Sequence, residues 1–207
     1  DIIIAPSQSL KSDILRYLKV SSDKVKVIYW GVNHNQFCPL QNDMVKHILS
    51  RYRVRWPYIL FVSALWSYKN VHSLLRAYGY LIRKYSIKHY LVIVGDGESS
   101  YKEFLTRVAT EENINKRVIF TGRVPHSEIQ AFYAGADVYV QPSLLESFGL
   151  TILEAMSVGT PVVVSNRTAL PEIVGDAGII VDTTNPNALA EAIFKTLSDE
   201  NLRSHLI

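Results

Sequence analysis

A single cysteine, Cys38, stands among the 207 residues, so an internal disulfide framework is excluded. That fits a reducing compartment. Cys38 lies before Pro39 and is paired with no histidine in a nucleophile pattern, so it reads as a plain loop or core thiol. No apolar run reaches the roughly 18 residues that span a bilayer. The opening Asp1-Ile2-Ile3-Ile4-Ala5 has neither the length nor the preceding basic region of a secretory signal. Histidine is sparse and scattered, at His34, His47, His72, His89, His126 and His205, without the close pairing of a metal site. No repeat period and no low-complexity stretch interrupts the chain. The expected location is the cytoplasm, with attachment to the cytoplasmic face of a membrane left open.

What is present is enough to build a core. Apolar residues make up 48% of the chain and charged residues 20%, which excludes disorder. The net charge of +3 is unevenly spread. Residues 1–100 hold 14 Lys and Arg against 6 Asp and Glu, whereas residues 101–207 hold 8 against 13. The densest basic spot is Arg51-Tyr52-Arg53-Val54-Arg55-Trp56. Arginine interleaved with aromatics can bind single-stranded nucleic acid or anionic lipid. Three arginines in five residues read more simply as a solvated helix end, and no nucleic-acid partner is expected.

Short Val- and Ile-rich strands alternate with helical stretches along the chain. Strands are expected at Ile2–Ala5, Val25–Tyr29, Tyr58–Val62, Tyr90–Val94, Arg117–Phe120, Val138–Gln141, Pro161–Val164 and Gly178–Val181. Ser7 caps a helix to about Lys19 that sets Leu10, Ile14, Leu15 and Leu18 on one face. Further helices are expected from Asn42 to about Tyr52, over Val71–Tyr85 behind Asn70, from Ser100 to Glu112, and over Glu128–Ala134 behind Ser127. The last three run from Phe148 to Val158, over Leu170–Val174 and over Pro186–Leu197. This alternation predicts an α/β fold, a parallel β-sheet with helices on both faces. Both ends read as cut: the chain opens in a strand and closes in what reads as the start of another helix.

The richest segment is Gln141-Pro142-Ser143-Leu144-Leu145-Glu146-Ser147-Phe148-Gly149-Leu150-Thr151-Ile152-Leu153-Glu154. It joins an apolar strand to an amphipathic helix. A helix start offers unpaired N–H groups and a positive dipole end, which suit phosphate. Carboxylates beside such a site suit hydroxyl groups of a sugar or ribose. Each glutamate alone could be an ordinary helix former. Glu154, however, interrupts the apolar run of its helix, and the two together point to a ligand. Lys69 precedes another helix start, where a cation is unfavourable for the dipole unless an anion shares the place. Gly95-Asp96-Gly97 follows a buried strand; Ser100 stands where a dinucleotide loop would carry its third glycine, and a tight turn explains the pair equally well. Because open parallel sheets bind ligands at the carboxyl ends of their strands, one edge is expected to gather Ser63, Lys69, Gly95, Arg123, Ser143, Glu146 and Glu154.

These residues carry a resemblance that covers nearly the whole chain. Glu146-Ser147-Phe148-Gly149-Leu150-Thr151-Ile152-Leu153-Glu154, followed by Ala155-Met156-Ser157-Val158-Gly159-Thr160-Pro161-Val162-Val163, is its most specific part. Lys69-Asn70, Val92-Ile93-Val94-Gly95-Asp96-Gly97, Val118 to Val124 and Leu170-Pro171-Glu172 support it, as do Ser7 and Gly31-Val32-Asn33 with Phe37 and Pro39. The chain resembles the C-terminal, donor-binding half of retaining GT-B glycosyltransferases of family 4 (glycosyl transferases group 1). The resemblance implies a Rossmann-like fold and a nucleoside-diphosphate-sugar substrate, with no cofactor and no metal. It implies that Glu146 holds donor-sugar hydroxyls and Lys69 neutralises the diphosphate, these two being the catalytic pair. The amides of Phe148, Gly149 and Leu150 would receive the diphosphate, and Glu154 the ribose hydroxyls. Arg123 and Val124 would line the base pocket, with Ser63, Gly95, Ser143 and Ser147 completing the donor site.

The resemblance further implies that residues 1–6 are the last strand of an N-terminal acceptor domain and residues 7–207 the nucleotide-sugar domain. An acceptor glycan, lipid or other small molecule would be held by that other domain, and the 207-residue chain alone would not transfer sugar. The family often carries Gly-Arg where this chain has Ser63-Ala64, so a second diphosphate-binding cation is lacking. No Asp-x-Asp metal motif occurs. Two other readings stay open: a sugar-nucleotide epimerase of the same fold, and a non-catalytic nucleotide-binding or scaffold domain.

Overall fold

The computed structural model describes residues 1–206. Among these residues eight strands are formed: β1 Ile3–Ala5, β2 Val25–Val27, β3 Tyr58–Val62, β4 Tyr90–Val94, β5 Val118–Gly122, β6 Val138–Gln141, β7 Val162–Ser165 and β8 Ile179–Val181. Nine α-helices among the described residues separate or follow them: α1 Gln8–Tyr17, α2 Asn42–Ser50, α3 Val71–Tyr85, α4 Ser99–Glu111, α5 His126–Ala134, α6 Leu150–Ser157, α7 Leu170–Val174, α8 Pro186–Ser198 and α9 Glu200–His205. Six strands form one all-parallel sheet in the order β5-β4-β3-β6-β7-β8. β1 and β2 pair in parallel as a separate two-stranded sheet.

The inner strands β3, β4, β6 and β7 are apolar on both sides because both faces of the sheet are covered there. Successive side chains alternate. Ile59 and Phe61 of β3 join Leu91 and Ile93 of β4 in a core under α3, α4 and α8. Tyr58, Leu60 and Val62 point the other way, with Val92 and Val94, into a core under α2, α5, α6 and α7. The expected fold is therefore present.

The strand order has one reversal. β3, β4 and β5 build outward on one side, and the chain then returns to lay β6 against β3 and continues to β7 and β8. The loops leaving β3 and β6 diverge, one toward each half of the sheet. A crevice at such a reversal is where open parallel sheets take ligands. Lys69 lies on the first loop and Glu146 on the second.

Local departures from expectation have identifiable causes. Helix α5 starts at His126, with Pro125 at the N-cap, rather than behind a Ser127 cap. Proline fixes its own φ and closes the preceding loop two residues earlier. Asn70 precedes α3 as expected, but in a left-handed conformation and with no capping bond from its side chain. No residue of α1 is buried, and Leu18 is 52% exposed, so the Leu10–Ile14–Leu15–Leu18 stripe does not reach the core. The basic run stays at the surface, with Arg51, Arg53 and Arg55 exposed; Arg51 pairs with Glu128 at 3.1 Å, and Arg55 lies over the Tyr90 ring at 5.7 Å. No described helix is long and apolar enough to cross a membrane.

Candidate functional site

The loop between β3 and α3 runs across the carboxyl edge of the sheet and lines two hollows. Ser63 and Ala64, at its start, line a hollow of about 210 Å³ with Gly95, Asp96, Arg123 and Val124. Tyr68 and Lys69, at its end, line a hollow of about 260 Å³ with Glu146, Ser147 and Asp13. One strand end thus feeds both compartments: Ser63, Gly95, Arg123 and Val124 line the first, and Lys69, Glu146 and Ser147 the second.

The second compartment is held rigidly. Leu144 N donates to Tyr68 O at 2.8 Å, tying the β6–α6 loop to the turn that carries Lys69. The side chain of Asn70, freed from capping, donates to Pro142 O and Thr183 O, both at 3.1 Å. Thr183 Oγ1 donates to the same Pro142 O at 2.8 Å, and Glu146 N donates to Thr168 Oγ1 at 3.0 Å. These bonds fix the backbone on both sides of the crevice.

Across it, Lys69 Nζ meets Glu146 Oε1 at 2.6 Å, and both side chains are only 12% exposed. Partial burial weakens solvent screening of such a pair. Gln141 Nε2 also donates to Glu146 Oε1, at 2.6 Å. Ser147 O accepts from Ser7 Oγ at 2.7 Å, which ties the site to the segment before α1. The Glu172 carboxylate accepts from Gln8 N, Ser9 N and the Tyr29 hydroxyl, and so satisfies the N-terminus of that same helix.

Phe148 is buried against Trp30, ring centres 5.5 Å apart. Gly149 then opens α6 with φ of 107°, a conformation that favours glycine, and an added Cβ would meet Leu170 at 3.0 Å. The amides of Phe148, Gly149 and Leu150 precede the first intrahelical bonds, as at any helix start. They find no backbone acceptor among the described residues.

Two expected residues stand behind the hollows instead of lining them. Ser143 is fully buried, and its hydroxyl accepts from Gln141 Nε2 at 2.8 Å. Glu154 is 6% exposed and accepts from the buried Tyr133 hydroxyl at 2.9 Å. Burial raises the Glu154 carboxyl above the ordinary glutamate range, and the Tyr133 bond opposes the shift.

The sign of its effect on stability follows. A carboxyl that holds its proton more tightly when folded favours the fold at low pH and loses that contribution as pH rises through its folded value. Glu154→Gln removes this cost while the new amide oxygen still accepts from Tyr133. Its Tm advantage over the parent should grow as pH rises from the ordinary glutamate range through the raised folded value. A pH-independent difference would show that Glu154 titrates as an ordinary surface carboxyl.

The sequence reading missed Gln141, Thr168, Thr183, Tyr68 and Asp13. Gln141 alone left a signal, as a polar residue closing an otherwise apolar strand. Among the described residues no three His, Cys, Asp or Glu side chains gather as metal ligands.

The model of the family described as glycosyl transferases group 1 matches residues 53–207. O-antigen chain mannosyltransferase B of Escherichia coli is 31% identical over 204 residues, covering 98% of this chain and 53% of that protein. The crystal structure of Anabaena Alr3699/HepE in complex with UDP-glucose superposes with a TM-score of 0.89 at 24% identity, over 99% of this chain and 56% of that one. The C-terminal domain of the group 1 glycosyl transferase LpcC of Francisella tularensis matches with a TM-score of 0.73 at 25% identity, over 85% of this chain and 92% of that one. The chain spans about half the length of the curated relatives it matches.

Proposed function

The chain belongs to the glycosyl transferases group 1 family, and from that premise we propose that it binds a nucleoside-diphosphate sugar across the two hollows and serves its retaining transfer to an acceptor. The carrying observation is the Lys69–Glu146 pair at the strand-order reversal. In this reading the base sits in the hollow of Ser63, Gly95, Arg123 and Val124. The ribose hydroxyls are assigned to Glu154, which the free protein keeps behind the hollows at 6% exposure, so donor binding must uncover it. The diphosphate meets Lys69 and the amides of Phe148, Gly149 and Leu150. Negative charge develops on the diphosphate as the glycosidic bond breaks, and a cation and a helix start fixed at that place stabilise it.

Glu146 is assigned to the sugar hydroxyls. A carboxylate already held by an ammonium and an amide is a poor nucleophile and a good hydrogen-bond acceptor. That supports positioning and charge stabilisation over the covalent attack used by retaining glycosidases. The acceptor, a glycan, lipid or other small molecule, is assigned to a second domain across the crevice. The chain by itself then binds donor without transferring it, because the proximity contribution of a positioned acceptor is lost. Donor binding is assigned no metal. Family membership does not favour the sugar-nucleotide epimerase or the scaffold reading.

A thermal-shift panel of UDP-, GDP- and ADP-sugars tests the reading, with and without EDTA. A ligand at 100 times its Kd stabilises by about 2.7 kcal/mol, a Tm rise of roughly 5–10 °C for a domain of this size. One nucleotide series should raise Tm by that amount, and EDTA should leave the rise unchanged. A flat response to every sugar nucleotide would overturn the reading.

A further inference from the structure

We propose that Gln141 is a positioning residue that holds Glu146 in place when a diphosphate draws Lys69 away, an inference that rests on the donor-binding reading above. In the free protein Lys69 is committed to Glu146 at 2.6 Å. If Lys69 is also the cation that meets a diphosphate, it cannot give both partners its full attention. Glu146 then needs a second anchor at the moment it must accept sugar hydroxyls.

Gln141 has the chemistry and the geometry for that role. It closes β6 and is 1% exposed. Its orientation is fixed by its neighbours, since a carboxylate only accepts and the amide nitrogen must therefore face Glu146. Both N–H groups are used, one on Glu146 Oε1 at 2.6 Å and one on Ser143 Oγ at 2.8 Å. The amide oxygen accepts from the buried Tyr139 hydroxyl. Every polar group of the side chain is satisfied in a single arrangement, so the amide cannot turn without orphaning a buried partner. Lys69 and Gln141 both meet Oε1, which leaves Oε2 of Glu146 for a ligand hydroxyl.

The test uses Gln141→Leu, which keeps the bulk and removes the amide. The probes are UDP-glucose and GDP-mannose with the matching UDP and GDP, measured by calorimetry. Loss of one hydrogen bond to a charged group should raise the Kd of the intact donor about tenfold, with the free nucleoside diphosphate changed less than about twofold. Tyr139→Phe, which loosens Gln141 but keeps the ring, should move the donor Kd in the same direction by a smaller factor. It also serves if the leucine variant folds poorly. Equal losses for donor and free nucleotide, or no loss for either, would overturn the role.

A ligand-independent arm separates this inference from the donor reading. In crystals of Lys69→Ala, Glu146 should keep its rotamer, and in Lys69→Ala/Gln141→Leu it should leave it. A Glu146 that moves in the single variant contradicts the anchor even if donor binds. A parent chain that binds neither sugar nucleotide, with the rotamers behaving as stated, contradicts the donor reading and leaves the anchor standing.

Discussion

Gly95→Ala should cost this domain about 3 kcal/mol or more, seen as a Tm fall of roughly 6–12 °C. Gly95 leaves β4 with φ of 132°, where L side chains are strained. A Cβ there would lie 1.8 Å from Ser63 O and 2.8 Å from Ser63 C. Those atoms are backbone and cannot swing aside. The β3 and β4 loops are also bonded where they cross. Ser63 N donates to Val94 O at 3.1 Å and Leu65 N to Asp96 O at 2.9 Å, while Gly95 N holds the end of β5 through Gly122 O at 2.9 Å. Relief of the clash must part the loops and break some of these bonds.

The same loops line the first hollow, so a survivor should also bind nucleotide more weakly. Gly31→Ala is the control, since its Cβ would meet nothing within 4 Å, and it should stay within about 0.5 kcal/mol of the parent. A Gly95→Ala protein melting as the parent does would show that the loops separate freely.

Gly95 also illustrates what could be read in advance. Its place after a buried strand was legible, and so was its position on the ligand edge. Its reason was not. The glycine answers to a second loop 32 residues earlier, at Ser63, and no local pattern announces an approach between distant backbones. The sheet was legible for the opposite reason. Apolar runs such as Tyr58–Val62 and Tyr90–Val94 show a strand buried on both faces in its own residues, and these two were located to the residue. Helix α1 formed behind its Ser7 cap as expected, yet none of its residues is buried. Periodicity shows which face is apolar and not what covers it.

The site divides in the same way. Lys69 and Glu146 could be singled out because each stands in a strand-to-helix loop, and the fold brings them into contact across 77 residues of chain. Thr168 and Thr183 each act through one hydroxyl bond to the β6–α6 loop, and Gln141 through two amide bonds to it. Residues of this kind have no spacing signature. Ser143 shows the converse: it belongs to the motif, yet it stands behind Glu146 as a support for Gln141.

In the proposed donor complex Lys69 meets phosphate and Glu146 meets sugar, although the free protein holds them as one ion pair. Calorimetric titration of Lys69→Ala and Glu146→Gln separates the two roles. The ligands are a nucleoside, its diphosphate and the intact sugar nucleotide of the series that binds the parent. A charge-assisted contact is worth about 1.5–3 kcal/mol, or roughly 10- to 100-fold in Kd. Lys69→Ala should weaken the diphosphate and the donor by that factor and leave the nucleoside unchanged. Glu146→Gln should spare the nucleoside and the diphosphate and weaken only the donor. Two variants losing the same ligands to the same degree would contradict the division of roles, and a Lys69→Ala chain that binds the diphosphate as tightly as its parent would remove the anion site on which the account rests.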